Sequence, residues 1–510
     1  MVGYLRRLCP VSTPVPADRA PDGLRPGADV APALGATDPS AMVPRAAPFP
    51  RAGLLLSLLA GGCSPGDPMA RYGGDLPHVL VVTIDTLRAD HLGCYGYYRD
   101  TSPHLDALAE ESVLFERCLT PVSQTLPTHA SLFTGLYPYE HGVLANVFRN
   151  SVYELSPSIQ TFAQAMAEAG YGTSAFIASE PLKRVAGLRV GFQDWWEPEE
   201  WEVPASRIVD EALAWLHDSL EAPGDRPLMM WVHVFDTHAP YKPPEPYDEL
   251  FASDEDVQDE WFEEHGISMF VKAKLRAFQG DARTDHNRYD GELRFVDDEL
   301  GRFFDELRSE GLWEDLVVVL TSDHGESLKQ HATNGHGDIW VEQIRVPFLI
   351  KAPGLAAGRV EARVSTVDIL PTALGCVPRL GEALSGWREQ ATGRDALAPD
   401  FGARPIFGQL PSNRGPGVHS VVHDGWRLTL RPEAPHLYHL DEDPHELRNL
   451  ADERADLVEE LSALIEATER EHRARGEELQ TGGMREASPE RLRNLEALGY
   501  GGGGEEEEDE

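Results

Sequence analysis

Continuous apolar runs that alternate with amphipathic segments constrain the fold of this chain more than any other feature. The run from His78 to Ile84 is typical of a strand buried on both faces, and it ends at Asp85. Similar runs lie at 172–177, 228–235, 316–321 and 346–350, and helical patterns separate them at 102–111, 127–135, 158–169, 205–220 and 290–310. Strands that alternate with helices predict an α/β fold, with a mostly parallel sheet covered by helices on both faces.

The pattern changes after about residue 376. Short runs at 404–409, 419–423, 427–430 and 436–440 are separated by turn residues, which indicates a smaller antiparallel sheet, and a charged helical stretch follows at 453–478. We therefore assign residues 78–375 to a large α/β domain and residues 376–480 to a C-terminal subdomain with an antiparallel sheet and a helix. Residues 481–510 are assigned to a tail that is acidic and disordered at its end.

The N-terminal region has the features of an export signal. If synthesis begins at Met42, Arg45 and Arg51 form a basic segment, residues 54–59 a short apolar segment, and small residues precede Cys63. We assign residues 1–62 to a leader and signal peptide and 63–77 to a tether. The expected product is an exported protein, periplasmic or anchored to the outer membrane through a lipid on Cys63. The alternative is an accidental apolar run in a disordered leader.

The net charge limits the partners. The chain has 85 acidic and 45 basic residues and a net charge of −40. Such a field repels nucleic acid and anionic lipid, so we expect no nucleic-acid partner and no membrane contact other than the anchor. A solvated acidic surface or adaptation to salt would explain the excess. A site for an anionic substrate would need local positive charge, which a metal ion can supply.

Ligand-type side chains follow three of the predicted strands. Asp85 follows the first strand, Asp236 and His238 follow the run at 228–235, and Asp323 and His324 follow the run at 316–321. Functional groups of open α/β sheets collect at the carboxyl ends of the strands. Carboxylates and imidazoles gathered around one point form a metal site. The alternative is that these side chains only cap helices and turns.

Six motifs in consecutive order resemble those of the sulfatases, in the alkaline phosphatase superfamily. They are IDTLRADHLGCYGY, TLPTHASLFTGLYPYEHGV, HVFDTHAPYKPP, YDGELRFVDDELGRFFDEL, TSDHGES continuing to NGHGDIWVEQIRVPFLI, and LYHLDEDPHELRNLA. The resemblance covers residues 76–452. It implies an alkaline-phosphatase-like fold for the large domain and metal-dependent hydrolysis of an anionic ester, a sulfate or a phosphate.

The chain departs from the sulfatase pattern at four single positions, and it lacks the Lys-Trp-His-Leu-Gly motif expected near residues 174–179. Thr125 stands where sulfatases carry a Cys or Ser that is oxidised to formylglycine, and threonine cannot yield that aldehyde. His129 replaces the arginine of the same motif, Thr86 replaces the second aspartate of the first motif, and His324 replaces an asparagine. A threonine with an Asp-His pair resembles the phospho-transferring members of the superfamily, and the pair also resembles phosphonate monoester hydrolases.

The resemblance implies a role for each site residue. The metal set is Asp85, Thr125, Asp323 and His324; the catalytic residues are Thr125 as nucleophile, His238 as general acid and His336; the substrate-binding residues are Asn146 and His129. Since Pro127 suits the first turn of a helix, Thr125 is predicted to lie at a helix N-terminus. A nitrogen ligand favours zinc or manganese as the divalent ion, with calcium as the alternative.

Some features keep two interpretations. Asp236 and His331 either complete a second metal site or support the first, and Arg88 with Asp90 is predicted to be a buried ion pair. The leading function is hydrolysis. The alternatives are a phospho-group transferase acting on a lipid or glycan, and an inactive binding protein with the same fold. Such transferases usually carry several membrane helices, which this sequence does not predict after the signal.

Overall fold

The computed structural model describes residues 76–147, 151–183, 187–222, 226–252, 261–262, 264–265, 282–410, 417–480 and 482–497. All of them belong to one compact unit. The predicted leader, Cys63 and most of the tether lie outside the described residues, as does the acidic C-terminal end. Most of the predicted large domain and most of the predicted C-terminal subdomain are within the described part.

An eight-stranded sheet forms the centre of the molecule. Its strands in chain order are β1 (His78–Ile84), β2 (Val113–Leu119), β4 (Gly172–Ile177), β5 (Asp194–Trp196), β6 (Leu228–Val234), β7 (Leu316–Ser322), β10 (Arg345–Lys351) and β11 (Gly358–Ser365). Their spatial order is β11-β2-β10-β7-β1-β6-β4-β5. The strands from β7 to β5 are mutually parallel, and β10 is antiparallel to both of its neighbours. The prediction of a mostly parallel sheet is confirmed.

Alternate residues of each central strand face opposite sides of the sheet, which is why these strands are apolar throughout. In β1, Val79 and Val81 belong to one core, whereas Leu80 and Val82 belong to the other. All four side chains are almost fully buried. The sheet therefore needs cover on both faces, and helices supply it.

The longer helices of the main body are α1 (Pro103–Glu110), α2 (Thr125–Thr134), α3 (Ala205–Glu221) and α4 (Ala282–Ser309). Leu126 and Phe133 of α2 pack into the core on one face. Ile208 of α3 and Leu300 of α4 pack into the core on the opposite face. This arrangement holds the first residue of α2 close to the carboxyl end of the sheet.

A second, smaller sheet lies in the C-terminal part. It contains the antiparallel strands β12 (Ile406–Leu410), β13 (Val418–His423), β14 (Trp426–Leu430) and β15 (Pro435–His439). Leu461 and Ile465 of α5 (Ala455–Glu478) pack on Val421 and Leu428 of this sheet. The predicted small sheet with a helix is thus confirmed.

The structure contains elements that the sequence pattern did not predict. Strands β2 and β11 extend the main sheet, and two short pairs are β3 (Ser151–Tyr153) with β16 (Met484–Glu486) and β8 (Ser327–Leu328) with β9 (Asn334–Gly335). The helix α6 (Pro489–Ala497) lies in the segment that we had assigned to a tail. Within the described residues, every helix is too short or too polar to cross a membrane.

Candidate active site

The carboxyl ends of β1 and β7 bring three ligand-type side chains together. These parallel strands are adjacent, so Asp85 after β1 lies beside Asp323 and His324 after β7. One ligand atom from each side chain lies within 4.8 Å of the other two. All three residues are at most 2% exposed. The predicted gathering of these residues at one edge of the sheet is confirmed.

The polar atoms of this cluster suit a divalent cation. Asp85 Oδ1, Asp323 Oδ2 and His324 Nε2 are buried, and each has no hydrogen-bond partner among the described residues. Buried polar atoms without partners are costly and therefore uncommon. Two carboxylate oxygens and an imidazole nitrogen are the donors of a transition-metal site. The residues therefore fit the metal that the family resemblance implies.

Backbone contacts prepare Asp323 and His324 for this role. The N–H groups of Thr86 and His324 donate to Asp323 Oδ1 at 3.2 and 2.8 Å. The Nδ1 of His324 lies 3.0 Å from the carbonyl oxygen of Gly325, which can only accept, so the ring proton is on Nδ1. The lone pair of a neutral His324 is then on Nε2, which is the nitrogen that faces Asp323 at 3.4 Å.

The two carboxylates of the cluster have opposite pKa shifts. Burial, and then repulsion from Asp323, raises the pKa of Asp85 well above its usual value. Burial also opposes ionisation of Asp323, but the neighbouring histidines His324, His129 and His233, with the backbone N–H of His324, together outweigh it and lower the pKa of Asp323. Two buried carboxylates this close do not both ionise readily without a cation between them.

Thr125 lies beside the cluster as the first residue of α2. Its Oγ1 is 3.4 Å from Asp85 Oδ2, and the residue is fully buried. The predicted position at a helix N-terminus is confirmed. The positive end of the helix dipole therefore points to where Thr125 meets the cluster, which favours an anionic group there.

Asn146 also contacts this helix terminus. Its Oδ1 accepts a hydrogen bond from the N–H of Leu126 at 2.7 Å, and Gln124 Oε1 accepts from the N–H of Asn146 at 2.9 Å. Asn146 is 2% exposed, and its Nδ2 is buried without a hydrogen-bond partner among the described residues. An amide donor held in this way suits an anionic substrate oxygen, as we predicted for Asn146.

His129 lies one helical turn after Thr125. Its Nδ1 donates to the carbonyl oxygen of Thr125 at 2.7 Å, and its Nε2 contacts Thr83 Oγ1 at 3.1 Å. The indole N–H of Trp231 donates to the same Thr83 hydroxyl at 3.0 Å. Burial lowers the pKa of His129 to about 3, so the ring is neutral. Its hydrogen bonds are to the scaffold, and its Nδ1 also lies 3.9 Å from Asp323 Oδ2. The substrate contact of His129 stays a prediction.

Two further predicted residues surround His324. The ring of His336 is 4.5 Å from that of His324 and 5.0 Å from that of His238, measured between centroids. Burial lowers the pKa of His238 to about 3 and that of His336 to about 4. His238 Nδ1 donates to the carbonyl oxygen of Ala239 at 2.7 Å. His238 would therefore need to gain a proton before acting as general acid, and that role stays a prediction.

Two other candidates have structural partners. Asp236 Oδ2 accepts from the N–H of Ala205, the first residue of α3, at 2.6 Å. His331 Nδ1 lies 3.1 Å from Glu342. Neither residue belongs to the Asp85 cluster. These contacts favour a supporting role for both residues over a second metal site.

The predicted ion pair between Arg88 and Asp90 is confirmed. Arg88 Nη2 lies 2.7 Å from Asp90 Oδ2, and the arginine side chain is 1% exposed. Arg88 also donates to the carbonyl oxygen of Glu326 at 3.0 Å. The pair thus links the segment after β1 to the segment after β7 and holds both strand ends in place.

The sequence analysis did not single out two buried residues of the site. Glu326 Oε1 lies 3.4 Å from His336 Nδ1, and burial raises the pKa of Glu326 to about 7. His233 Nε2 lies 3.5 Å from Asp85 Oδ2. Glu326 stands in the motif that supplied Asp323, two residues after His324, and its position there was a usable signal. His233 is concealed in an apolar strand.

Comparisons with known proteins agree with this geometry. The family model described as Sulfatase matches residues 77–378, more than half of the chain. The chain is 28% identical over 342 residues to an ulvan-active sulfatase of Formosa agariphila, covering 59% of this chain and 61% of that protein. It is 26% identical to the multifunctional alkaline phosphatase superfamily protein PehA of Trinickia caryophylli, and the match covers 74% of this chain and 92% of that protein.

The fold is shared with solved structures as well. The phosphonate monoester hydrolase of Agrobacterium radiobacter superposes with a TM-score of 0.58 at 21% identity, over 78% of this chain and 96% of that chain. At this identity the match supports the fold alone. The chain spans less than two thirds of the length of the ulvan-active sulfatase.

Proposed function

Because this chain belongs to the sulfatase family, we propose that it is a metal-dependent hydrolase of sulfate or phosphate esters with Thr125 as its nucleophile. The observation that carries the proposal is the placement of the Thr125 hydroxyl, 3.4 Å from Asp85, at the start of a helix. It lies beside three buried ligand atoms that suit one cation.

We assign the metal to Asp85, Thr125, Asp323 and His324. The imidazole nitrogen of His324 favours zinc or manganese, since calcium prefers an all-oxygen shell. When bound, the metal would make Thr125 a stronger nucleophile and offset the negative charge of the ester group. Zinc or manganese is therefore the ion with which activity is expected.

The residues around the metal set would act on the ester in sequence. The Thr125 hydroxyl releases its proton to water and its Oγ1 attacks the sulfur or phosphorus atom. The bond to the leaving oxygen breaks, and that oxygen takes up a proton. Asn146 Nδ2, which is buried without a hydrogen-bond partner among the described residues, would donate to a non-bridging oxygen of the ester. His238 and His336 are assigned to the leaving-group side, where Glu326 supplies a carboxyl group that titrates near neutral pH. Water then cleaves the ester of Thr125 and restores the enzyme.

Threonine favours phosphate-type esters over sulfate esters. A formylglycine hydrate can expel sulfate by collapse of its second hydroxyl, and Thr125 has no second hydroxyl. A sulfate ester of Thr125 would have to be cleaved by water at sulfur, whereas phosphate esters of threonine are familiar intermediates in the superfamily. We therefore expect phosphate monoesters, diesters or phosphonates to be the better substrates.

The decisive experiment compares substrates that share one leaving group. The zinc- and manganese-loaded protein is assayed with 4-nitrophenyl sulfate, 4-nitrophenyl phosphate, bis(4-nitrophenyl) phosphate and a 4-nitrophenyl phosphonate. The phosphorus esters are expected to react faster. A tenfold or larger preference for the sulfate ester, about 1.4 kcal/mol in transition-state stabilisation, contradicts the assignment of the chemistry but leaves the family assignment in place.

Thr125→Ala should abolish turnover of all these esters, because it removes the nucleophile and a metal ligand together. Thr134→Ala is the matched control, since Thr134 lies on the same helix. Among the described residues, its hydroxyl donates to the carbonyl oxygen of Ala130 and accepts from the N–H of Leu136. Full activity of Thr125→Ala contradicts the nucleophile assignment. Metal binding by the wild type without turnover of any ester would favour the inactive binding protein.

We also propose that the protein is exported and anchored through a lipid on Cys63. The basic and apolar segments after Met42 and the small residues before Cys63 support this proposal. The substrate would then be an anionic ester outside the cytoplasm. Ulvan-active sulfatase and N-sulphoglucosamine sulphohydrolase, both similar to this chain, are named for sulfated substrates of this anionic class.

A further inference from the structure

His233 is an imidazole in a strand that is otherwise apolar. It lies in β6, between Thr83 of β1 and Ile177 of β4, and it is fully buried. The alternate residues Met229 and Trp231 on the same face belong to the core under α2. A buried polar ring costs free energy unless its nitrogens find partners, so its contacts indicate what it does.

The partners of His233 fix the location of its ring proton. The N–H of Ala178 faces Nδ1 at 3.4 Å, and a backbone N–H only donates, so Nδ1 is the acceptor. With Nδ1 as an acceptor, the ring carries its single proton on Nε2. Nε2 is buried, has no hydrogen-bond partner in the part of the chain that the structure describes, and lies 3.5 Å from Asp85 Oδ2.

His233 Nε2–H is therefore a donor that faces an acceptor, Asp85 Oδ2, across 3.5 Å. Asp85 Oδ2 faces both the Thr125 hydroxyl and His233 Nε2, while Oδ1 has no hydrogen-bond partner among the described residues. The separation of 3.5 Å exceeds an ordinary hydrogen bond by about 0.5 Å, as is common for functional contacts before ligands bind. A donor at Oδ2 would hold the carboxylate so that its oxygens face the other ligands.

We propose that His233 is a positioning residue for the metal, and that its Nε2–H orients the Asp85 carboxylate for binding the ion. This inference rests on the metal site of the proposed function and adds a residue that acts through Asp85. Hydrogen-bond partners of metal ligands typically change metal affinity by about 10- to 100-fold. The metal-free protein, in contrast, should lose little stability when this donor is removed, because the described residues offer Nε2 no hydrogen-bond partner.

The test measures metal affinity directly. Purified protein is stripped with a chelator, and its Kd for Zn²⁺ and Mn²⁺ is determined by competition with a chromophoric chelator. His233→Gln places an amide donor near the position of Nε2, whereas His233→Asn reaches only the position of Nδ1, beside Ala178. We expect an affinity within about threefold of wild type for His233→Gln and a loss of about 10- to 100-fold for His233→Asn.

The control is His141→Asn, since His141 is equally buried and contacts Ser131 and Val143 rather than the metal set. Urea unfolding of each metal-free variant shows whether it is folded and equally stable. Equal affinities of His233→Asn and wild type overturn the proposal. Equal losses in His233→Asn and His233→Gln also overturn it, because the donor would then be irrelevant. A wild type that binds neither ion contradicts the proposed metal site instead.

Discussion

Replacing Asp85 by asparagine should stabilise the metal-free protein while removing its response to metal. The ligand atoms of Asp85 and Asp323 lie within 4.8 Å, so the repulsion between two ionised carboxylates is at least about 3.5 kcal/mol at an effective dielectric constant of about 20. The nearby His324 offsets part of this repulsion. We expect Asp85→Asn to gain about 2 to 3 kcal/mol in the free energy of unfolding at pH 8.

The stability gained by Asp85→Asn should depend on pH. The pKa of Asp85 is raised in the folded protein, above the value of about 3.9 in an unfolded chain. Between these two values the folded state binds more protons than the unfolded state, so the stability of the metal-free wild type falls as pH rises. Asp85→Asn lacks this group, and its advantage should therefore shrink toward pH 5.

Urea unfolding with a chelator present, at pH 5 and pH 8, measures the gain. When the metal is present at about 100 times its Kd, the free energy of unfolding of the wild type should rise by about 2.7 kcal/mol, and that of Asp85→Asn should rise much less. Asp90→Asn is the contrasting variant, because it breaks the buried pair with Arg88 and should cost about 3 kcal/mol. If metal-free Asp85→Asn is no more stable than wild type at pH 8, the two carboxylates do not repel and the reasoning fails.

Three further predictions concern the ends of the chain. Deleting residues 501–510 should leave activity and Tm nearly unchanged, because the run carries like charges and no apolar residue to anchor it; a large loss of either would contradict this. Leu495→Ala should lower the free energy of unfolding by about 2 to 3 kcal/mol in urea titrations, because Leu495 is 1% exposed and packs with Val152; an unchanged midpoint would show that α6 is not docked. Mass spectrometry of the native protein should find a lipid-modified N-terminal Cys63, and a mature terminus upstream of Met42 would exclude the export model.

The central strands were predictable because each of them contains a run of apolar residues in the sequence. β1 and β4 have the predicted bounds, since apolar residues fill both faces of each. β2 was missed because Glu116 and Arg117 interrupt its apolar run, and β11 was missed because half of its residues are exposed. Runs of apolar residues in the sequence indicate buried strands. A strand with polar or exposed residues lacks such a run and is recognisable only from its neighbours in the sheet.

The site was predictable to the extent that its residues end strands or stand in motifs. Asp85, Asp323 and Thr125 were found in this way. The proximity of His233 to Asp85 is a non-local property, since it depends on the register of β1 with β6. In the sequence alone, the position of His233 indicates only that it belongs to a buried strand. The tautomer of His324 likewise depends on a carbonyl oxygen that only the folded chain places beside it.

The charge of the site depends on the protonation states of its histidines. The chain has a net charge of −40, yet its proposed substrate is an anion. Burial lowers the pKa values of His129, His238 and His336 to about 3, 3 and 4, so at neutral pH these three imidazoles add no positive charge. The attraction for the substrate must then come mainly from the metal and from the N-terminus of α2. Metal loading should accordingly govern substrate affinity as well as the chemical step, so the metal-free protein should bind an anionic substrate analogue more weakly than the metal-loaded protein.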